Sequence, residues 1–535
     1  MEQPKPTNAR YSKIIEKIEN GDYQIPKFQR DFVWKPQKTA ELIDGLLKGF
    51  PIGSFIVWKT KERLNSVKRL GGKIFKQIQN DVDIYYILDG QQRMTSLFLA
   101  LKGETANKFD YKNIYIDLDK DIDGDEPICS SNELDKKDSS ISFYELMTQN
   151  PFALIESRGL EMAEKCHKLK NKIENYDFSV IEIGNLKLDK IVDIFTRINT
   201  SGRELTLFEI MNAKIYTEKK NGQNGFDLEE KYNEVLNDLN DANYDFEGKQ
   251  LILQLISLNL QQNATKEAIL SIAKERFINE WDESIKSFKL AIEYTRNFLK
   301  IPVSKLLPYP ALLLPIAYFF KINQFNPPDE LQSKLLEKYF FRSALSWRFS
   351  SATETKLNAD VKLMEKIKDN QPIDFEKEIF ITNTDEYFIN CLKNWDFSAG
   401  SAFHKAILCI MAYAEPRSFN NNFKVRLDNA HLTMSTSKNY HHFFPKAYLK
   451  KKEPNAKANV LANITLVDDF LNKRVIRDQA PSKYIQKFEK ENSKLKETLQ
   501  THFIDLDSFG IREDDYETFL QKRAKKIADE ILKRI

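Results

Sequence analysis

The C-terminal fold of this chain is decided by Tyr440-His441-His442-Phe443-Phe444-Pro445, a stretch that Asn463 and Asn472 follow. The chain has only 6 histidines in 535 residues, so an adjacent pair is a rare clustering. Apolar and polar residues alternate from 463 to 467, which predicts a strand that pairs with one ending at the histidines. A helix is predicted to start at 468, with Asn472 in its first turns. Alternation along the first strand places His441 and His442 on opposite faces.

Two histidines on opposite faces of a strand are suited to phosphodiester hydrolysis. One neutral imidazole can bind a cation while the other takes a proton from water. One histidine nitrogen and one asparagine oxygen leave most coordination positions to water and phosphate, which favours Mg²⁺ or Mn²⁺ over a closed zinc site. The pattern therefore predicts a one-metal nuclease site. The alternative is a histidine pair that only caps a core hairpin.

These residues match the HNH, or ββα-metal, nuclease pattern. Residues 441–446, 459–466 and 481–484, together with Asn472, resemble the C-terminal domain of GmrSD-type restriction endonucleases. The resemblance implies that His442 is the general base, with His441 and Asn472 as metal ligands. It also implies that Asn463, in the catalytic set, braces the loop that carries the base. Many HNH sites have Asp where His441 stands, and this departure leaves the choice of metal open.

Three motifs rich in glutamine and arginine stand in the N-terminal part of the chain. They are Phe28-Gln29-Arg30-Asp31-Phe32-Val33-Trp34, Asp89-Gly90-Gln91-Gln92-Arg93 and Phe195-Thr196-Arg197-Ile198-Asn199-Thr200-Ser201-Gly202. The middle motif follows a predicted strand at 84–88 and precedes a predicted helix. Free amides at a helix N-terminus attract anions, and an arginine can grip a phosphate with two hydrogen bonds. The middle motif therefore predicts a phosphate site, and an internal salt bridge is the alternative for Arg30 and Arg197.

The same motifs, in the same order, resemble the N-terminal domain of the GmrSD family, whose fold is similar to the ParB and sulfiredoxin group. The resemblance implies binding and hydrolysis of a nucleoside triphosphate. The nucleotide-binding residues it implies are Gln29, Arg30, Asp89, Gly90, Gln91, Gln92, Arg93, Arg197 and Asn199. No Walker-type loop occurs in the sequence, so nucleotide use has to be of this other kind. A purely structural N-terminal domain is the alternative.

Length and composition set the architecture. A chain of 535 residues with 41% hydrophobic and 30% charged residues is globular, and its length corresponds to about two to four domains. The net charge of +3 does not argue for a nucleic-acid partner, but residues 438–490 hold 12 Lys/Arg against 5 Asp/Glu. We expect an α+β multidomain protein, with strands at 54–59 and 84–88 and with the capping box of a helix start at Thr206 to Glu209. Its parts are a nucleotide-binding domain over 1–222, a mainly helical connector over 223–425, and an HNH domain with closing helices over 426–535.

The sequence gives no sign of a membrane or secreted protein. The N-terminal residues lack the apolar segment of a signal peptide. The most apolar stretch, 306–320, is short and is interrupted by Pro308, Pro310 and Pro315, which predicts a buried helix with a broken start. The four cysteines have no paired spacing, which argues against disulfides and a cysteine-bound zinc ion. A cytoplasmic protein without a membrane partner is expected.

The two resemblances together predict a nucleotide-regulated, metal-dependent DNA endonuclease that cuts foreign, modified phage DNA in anti-phage defence. The expected partners are double-stranded DNA, a nucleoside triphosphate and Mg²⁺ or Mn²⁺, with a homo-oligomer as one option. The alternative is a nucleotide-gated DNA-binding or interaction protein with an inactive HNH-like domain.

Overall fold

The structure is a computed structural model. The residues it describes are 4–29, 31–67, 69–70, 73–74, 82–131, 139–184, 186–198, 206–217, 225–425, 427, 440–467 and 476–535. The chain folds as two compact units, Met1–Leu228 and Glu229–Ile535. The predicted C-terminal domain and most of the predicted connector fall within the second unit, and the division into three domains stays a prediction. The mixed α and β content is confirmed.

The first unit is built on a mixed sheet. Its strands are Lys5–Arg10 (β1), Tyr23–Gln24 (β2), Phe55–Thr60 (β3), Arg69–Leu70 (β4), Lys73–Ile74 (β5), Ile84–Asp89 (β6), Thr105–Ala106 (β7), Phe109–Asp110 (β8), Tyr115–Asp117 (β9), Cys129–Ser130 (β10), Ser140–Ser142 (β11) and Asp177–Gly184 (β12). Five of them form one sheet in the order β1-β12-β3-β6-β2. In this sheet β12 runs parallel to β3, and β6 runs antiparallel to β3. The two predicted strands are confirmed as β3 and β6.

Eight helices accompany this sheet in the described part of the first unit. They are Tyr11–Asn20 (α1), Pro36–Leu47 (α2), Gln91–Lys102 (α3), Phe143–Thr148 (α4), Pro151–Arg158 (α5), Leu160–Glu174 (α6), Leu188–Ile198 (α7) and Leu207–Ile215 (α8). In α1 the buried residues Tyr11, Ile14 and Ile18 recur at helical spacing, which fixes the side that faces the core. At α8 the predicted capping box is confirmed, because Thr206 accepts a hydrogen bond from the Glu209 amide at 3.2 Å.

The second unit is mainly helical. Its helices are Leu228–Asp241 (α9), Lys249–Gln261 (α10), Lys266–Ser271 (α11), Lys274–Asn297 (α12), Leu313–Ile322 (α13), Glu330–Leu345 (α14), Thr353–Lys368 (α15), Phe375–Glu378 (α16), Asp385–Asn394 (α17), Ala402–Tyr413 (α18), Lys446–Lys452 (α19), Pro481–Glu491 (α20), Leu495–Gln500 (α21) and Tyr516–Leu532 (α22). Two short strands accompany them, His441–His442 (β13) and Ile464–Thr465 (β14).

The most apolar stretch becomes α13 and the turns before it. The 3-10 turns Ser304–Leu306 and Pro310–Leu312 precede α13, and eight of the ten residues of α13 are buried. Proline lacks the amide that a continuous helix needs, which explains the broken start. The predicted buried helix is confirmed. Among the described residues, none of the helices combines the length and the apolar character that crossing a membrane requires.

A buried ion pair joins three elements of the second unit. Asp360 in α15 is fully buried and accepts hydrogen bonds from Arg348 Nε at 2.9 Å and from the Tyr339 hydroxyl at 2.7 Å. Removing one member of such a group leaves a charge without a partner in the interior. The carboxylate therefore connects α14, α15 and the 3-10 turn between them.

We predict that Asp360→Ala lowers the free energy of unfolding of the second unit by about 3–5 kcal/mol, because Arg348 loses its buried carboxylate. Tyr339→Phe is the matched control, and loss of its hydrogen bond to Asp360 costs about 1 kcal/mol. Urea unfolding followed by far-UV circular dichroism measures both. Equal destabilisation by the two variants would contradict the assignment.

Candidate functional site

The histidine pair forms a strand that pairs as predicted. In β13 and β14, His441 lies opposite Thr465 and His442 lies opposite Ile464, in antiparallel register. The second strand is shorter than predicted, because Asn463 belongs to the 3-10 turn Leu461–Asn463. The side-chain hydrogen bonds of Asn463 hold this turn against Phe444, just after the first strand. The predicted third element, the helix with Asn472, lies outside the described residues.

Asn463 fastens the turn to the segment that follows the histidines. Its Oδ1 accepts a hydrogen bond from the Phe444 amide at 2.8 Å, and its Nδ2 donates to the carbonyls of Phe444 and Ala458, each at 2.9 Å. Its backbone carbonyl also accepts from the Phe443 amide at 2.8 Å. The residue is fully buried and both side-chain N–H groups are used. This geometry matches a bracing role and makes Asn463 a positioning residue.

His441 lies in the interior behind the strand. Its Nδ1 hydrogen-bonds to Thr465 Oγ1, and its ring meets the Phe419 ring edge-on with centroids 5.8 Å apart. Burial, and then the charges of His442 and His502, hold the pKa of His441 well below its ordinary value. The neutral ring is the form that binds a metal ion.

The Nε2 atom of His441 is the observation that fits a metal ligand. It is buried and has no hydrogen-bond partner among the described residues. A buried polar nitrogen without a partner is costly, so a cation there would satisfy it. Within the same residues, no three His, Cys, Asp or Glu side chains come together as a metal site. The described part contributes His441 to the predicted ligands, while Asn472 lies outside it.

His442 points to different neighbours from His441. Its Nε2 lies 3.2 Å from Asn459 Oδ1. Burial, helped by the Lys446 charge, lowers the pKa of His442 to about 4, against the opposing effect of hydrogen bonds to Asn459 and the Tyr440 backbone. A neutral imidazole has one N–H for these two partners, so one nitrogen keeps a lone pair. That lone pair is what a general base requires.

Sequence reasoning gave no role to Arg523, which holds the same turn. This guanidinium in α22 is buried and donates to the carbonyls of Ala462 at 2.8 Å and His502 at 3.1 Å. Burial lowers the pKa of Arg523 to about 9. The sequence does contain a signal, because an arginine stands within the apolar stripe formed by Phe519 and Ile527 at helical spacing.

In the first unit, the middle motif lies where a strand passes into a helix, as predicted. β6 ends at Asp89 and α3 begins at Gln91. Gly90 between them has φ +90°, and a Cβ there would overlap the Phe55 ring. Only glycine fits this conformation and this contact. The backbone that leads into α3 therefore makes a turn at position 90 that only a residue without a side chain can make.

The three N-terminal motifs come together around this turn. Gln92 Oε1 accepts from the Val33 amide at 2.9 Å, and its Nε2 donates to the Asp31 carbonyl at 3.1 Å. Gln29 donates to the carbonyl of Ile87 in β6. The third motif joins through Phe195, whose ring lies edge-on to Phe28 at 5.7 Å. Residues far apart in sequence thus form one cluster.

Arg93 is engaged within the protein. Its guanidinium donates to the carbonyls of Ile52 and Ser54, the latter at 3.0 Å, and forms an ion pair with Asp89 at 3.1 Å. A Cβ on Gly53, which has φ +83°, would overlap it. The loop at 51–54 is a part of the cluster that sequence reasoning missed, although its Pro51 and Gly53 mark a turn.

The other predicted nucleotide ligands are distributed as follows. Arg197 is exposed in the last turn of α7. Gln91 is buried at the start of α3, where its Oε1 accepts from Gln92 Nε2 at 3.1 Å. Arg30 and Asn199 lie outside the described residues. The nucleotide-binding roles stay predictions.

The N-terminal part of the chain is similar to a known domain family. Residues 11–216 match the family model described as the N-terminal domain of GmrSD restriction endonuclease. The match supports a place in the GmrSD-type family, a restriction endonuclease-type function, and DNA as a partner. The matched residues, 11–216, include all three N-terminal motifs and end before the second unit begins.

A full-length relative extends the comparison beyond that domain. The chain is similar to the uncharacterized protein MJ0686 of Methanocaldococcus jannaschii, with 25% identity over 605 aligned positions. The alignment covers 98% of this chain and 98% of the relative. The similarity therefore extends over both units of this chain.

We predict that Asn463→Ala destabilises the second unit by about 2–5 kcal/mol, since it leaves buried backbone groups of Phe444 and Ala458 without partners. Asn390→Ala, at an exposed asparagine of the same unit, is the control and changes stability by less than about 0.5 kcal/mol. Denaturant midpoints measure both. A wild-type midpoint for Asn463→Ala would show that the side chain does not brace the turn.

Proposed function

We propose that the protein is a nucleotide-regulated, metal-dependent DNA endonuclease that cuts foreign DNA, with modified phage DNA as its main target. The observation that carries the proposal is the His441–His442 strand held by the Asn463 turn, in the same chain as a GmrSD N-terminal domain. The HNH assignment, anti-phage role and cytoplasmic location belong to this proposal.

The chemistry would rest on His442. The nitrogen that keeps its lone pair accepts a proton from water, and the resulting hydroxide attacks the phosphorus of the phosphodiester. The P–O bond to one sugar breaks, and the departing sugar oxygen takes a proton from solvent and leaves as a hydroxyl group. Asn459, itself held by donation to the Phe397 carbonyl at 3.1 Å, orients the ring. His441 and Asn472 would hold the cation, Mg²⁺ or Mn²⁺, which when bound neutralises charge on the phosphate.

Positive charge beside the strand supports a DNA substrate. Lys446 begins α19 close enough to His442 to influence its charge, and the last turn of α19 contains Lys450, Lys451 and Lys452. Lys451 pairs with Asp478 at 3.0 Å. Lysines near a scissile phosphate raise affinity for the DNA backbone without reading sequence.

The N-terminal domain would supply nucleotide control. The α3 start, turned by Gly90, offers amides to a phosphate, and the side chains of Gln29, Gln91 and Gln92 bond around it. Because Arg93 is paired with Asp89, we assign the positive charge that meets the phosphate to Arg197, while Arg30, the other predicted arginine, lies outside the described residues. Hydrolysis of a nucleoside triphosphate there would license or restrain cutting.

The burial of the histidines favours a second candidate function. His441 is 2% exposed and His442 is 7% exposed, which is what a pair that only caps a hairpin would also show. In that case the protein is a nucleotide-gated DNA-binding or interaction protein with an inactive HNH-like domain. Activity of the His442 variant separates the two functions.

We predict that His442→Ala lowers Mg²⁺- or Mn²⁺-dependent cutting of modified phage DNA by at least about 100-fold, because the general base is lost. Hydrolysis of nucleoside triphosphates stays unchanged. His167→Ala, at an exposed histidine of α6, is the control and cuts normally. Gel analysis of modified and unmodified phage DNA, with and without each nucleotide, provides the measurement. Equal cutting by the two variants would rule out His442 as the base.

We predict that Arg197→Ala reduces phosphate release from the preferred nucleoside triphosphate by about tenfold, the effect of losing one charge-assisted contact. Lys190→Ala removes a positive charge from an exposed position of the same helix and serves as the control. Phosphate release is measured for each triphosphate. A purely structural N-terminal domain would release no phosphate even in the wild-type protein.

A further inference from the structure

Two helices of the first unit, α5 and α6, expose a cluster of apolar side chains. Among the described residues twelve large apolar side chains are exposed, and three of them, Phe152, Ile155 and Leu160, lie within nine consecutive residues. They are 83%, 40% and 63% exposed. Single exposed apolar residues are ordinary on a protein surface, whereas a cluster of them indicates a contact surface.

The backbone that carries this cluster is fixed at both ends of α5. Asn150 caps the helix by accepting a hydrogen bond from the Ala153 amide at 2.9 Å, and Arg158 in the last turn donates to the Ser140 carbonyl of β11 at 2.8 Å. Gly159, with φ +82°, then joins α5 directly to α6. A contact surface on a fixed backbone loses little conformational freedom on binding, which favours affinity.

Another exposed apolar side chain stands at the opposite end of α6. This helix has 15 residues, which corresponds to a length of about 22 Å. Lys172 in its last turn donates to the Leu47 carbonyl at 3.5 Å, and the Tyr176 hydroxyl just beyond the helix donates to the Phe50 carbonyl at 2.8 Å. The Phe50 side chain is 58% exposed. Apolar side chains are therefore exposed at both ends of α6.

The charges between these two ends change sign along α6. Glu161 and Glu164 are exposed in its N-terminal half, and Lys168 is exposed in its C-terminal half. Within the described part of the chain, neither Glu164 nor Lys168 forms an ion pair, and Glu161 pairs with Lys165 at 3.7 Å. From one end of α6 to the other, the exposed face is thus apolar, acidic, basic and again apolar. We call this face, with Phe152 and Ile155 at one end and Phe50 at the other, the α6 surface.

We infer that the α6 surface is a contact between two copies of this chain, which form a two-fold symmetric dimer. In an antiparallel pair of α6 helices whose two-fold axis lies level with residue 166, Glu164 of each copy lies opposite Lys168 of the other. The same symmetry brings the apolar cluster of one copy to the Phe50 end of the other. A surface that is complementary to itself in this way is what a two-fold contact requires. The inference goes beyond the proposed function and does not depend on it.

The charges favour a second copy over DNA or a lipid surface. Exposed Glu156, Glu161 and Glu164 accompany the apolar cluster, and their carboxylates repel the phosphates of DNA and of anionic lipids. The matching partner is instead apolar and basic. The C-terminal half of the α6 surface has this character, because it combines Lys168 with Phe50. In a two-fold contact each favourable pair also occurs twice.

The test uses two charge reversals in the full-length chain. Glu164→Lys and Lys168→Glu each place like charges opposite one another across the axis, so we expect each variant to raise the Kd of the dimer by at least about tenfold. An equal mixture of the two variants restores the dimer, because opposite charges then meet at both positions. Sedimentation equilibrium over a series of protein concentrations measures each Kd. Recovery in the mixture also shows that both variants are folded.

A second comparison tests the apolar cluster. We expect Phe152→Asp to raise the Kd of the dimer by at least about thirtyfold, the effect of losing a main anchor of an interface. Phe380→Asp, which replaces a 73% exposed ring in the second unit, is the control and retains the wild-type Kd.

Three results would overturn the inference. These are a wild-type protein that is monomeric at every concentration, a dimer that Phe152→Asp does not weaken, and a mixture of the two charge variants that stays monomeric. Binding of the wild-type monomer to duplex DNA or to vesicles of anionic lipid, if Phe152→Asp abolishes it, would assign the α6 surface to that partner and overturn the inference as well. DNA cutting is not part of this test, so failure of the proposed nuclease function leaves its result unchanged.

Discussion

The candidate nuclease site depends on the side-chain amide of Asn463. This amide closes the 3-10 turn onto the segment after the histidines through bonds to Phe444 and Ala458. Because β13 and β14 are only two residues each, their own ladder could not fix the histidines. Arg523 supports the turn from behind by donating to the Ala462 carbonyl. Within this network Asn463 uses both of its side-chain N–H groups, whereas His441 Nε2 behind it has no partner among the described residues.

The N-terminal cluster follows the same principle with glutamine as the connector. The Gln92 side chain bonds to the Val33 amide and the Asp31 carbonyl, and the Gln29 side chain donates to the Ile87 carbonyl in β6. Each glutamine thus serves as the hydrogen-bond partner of backbone groups in another segment. Arg93 spans the loop at 51–54 and neutralises Asp89. The side chains that look most suited to phosphate in the sequence therefore hold the turn, and the proposed phosphate site would use the backbone amides at the start of α3.

Sequence alone predicted the elements and the clustering better than the roles. β3, β6, the capping box at α8 and the interrupted α13 follow from local pattern, because periodicity and caps are short-range signals. The internal bonding of Arg93 and the bracing by Arg523 depend on partners 39 and 61 residues away, the Ser54 and Ala462 carbonyls. No local pattern encodes which carbonyl a guanidinium reaches. The alternation of apolar and polar residues over 463–467 predicts a strand that includes Asn463, because such alternation does not distinguish a strand from a turn that side-chain hydrogen bonds stabilise.

The buried face of the histidine strand packs against an aromatic ring. This ring is that of Phe419, which contacts His441 and His502 while the Phe419 carbonyl accepts a hydrogen bond from Asn492. Phe419 thus fills the space behind the candidate metal ligand. Because interiors are close-packed, removal of this ring would leave a cavity against His441, and the order of the candidate site would decrease with it.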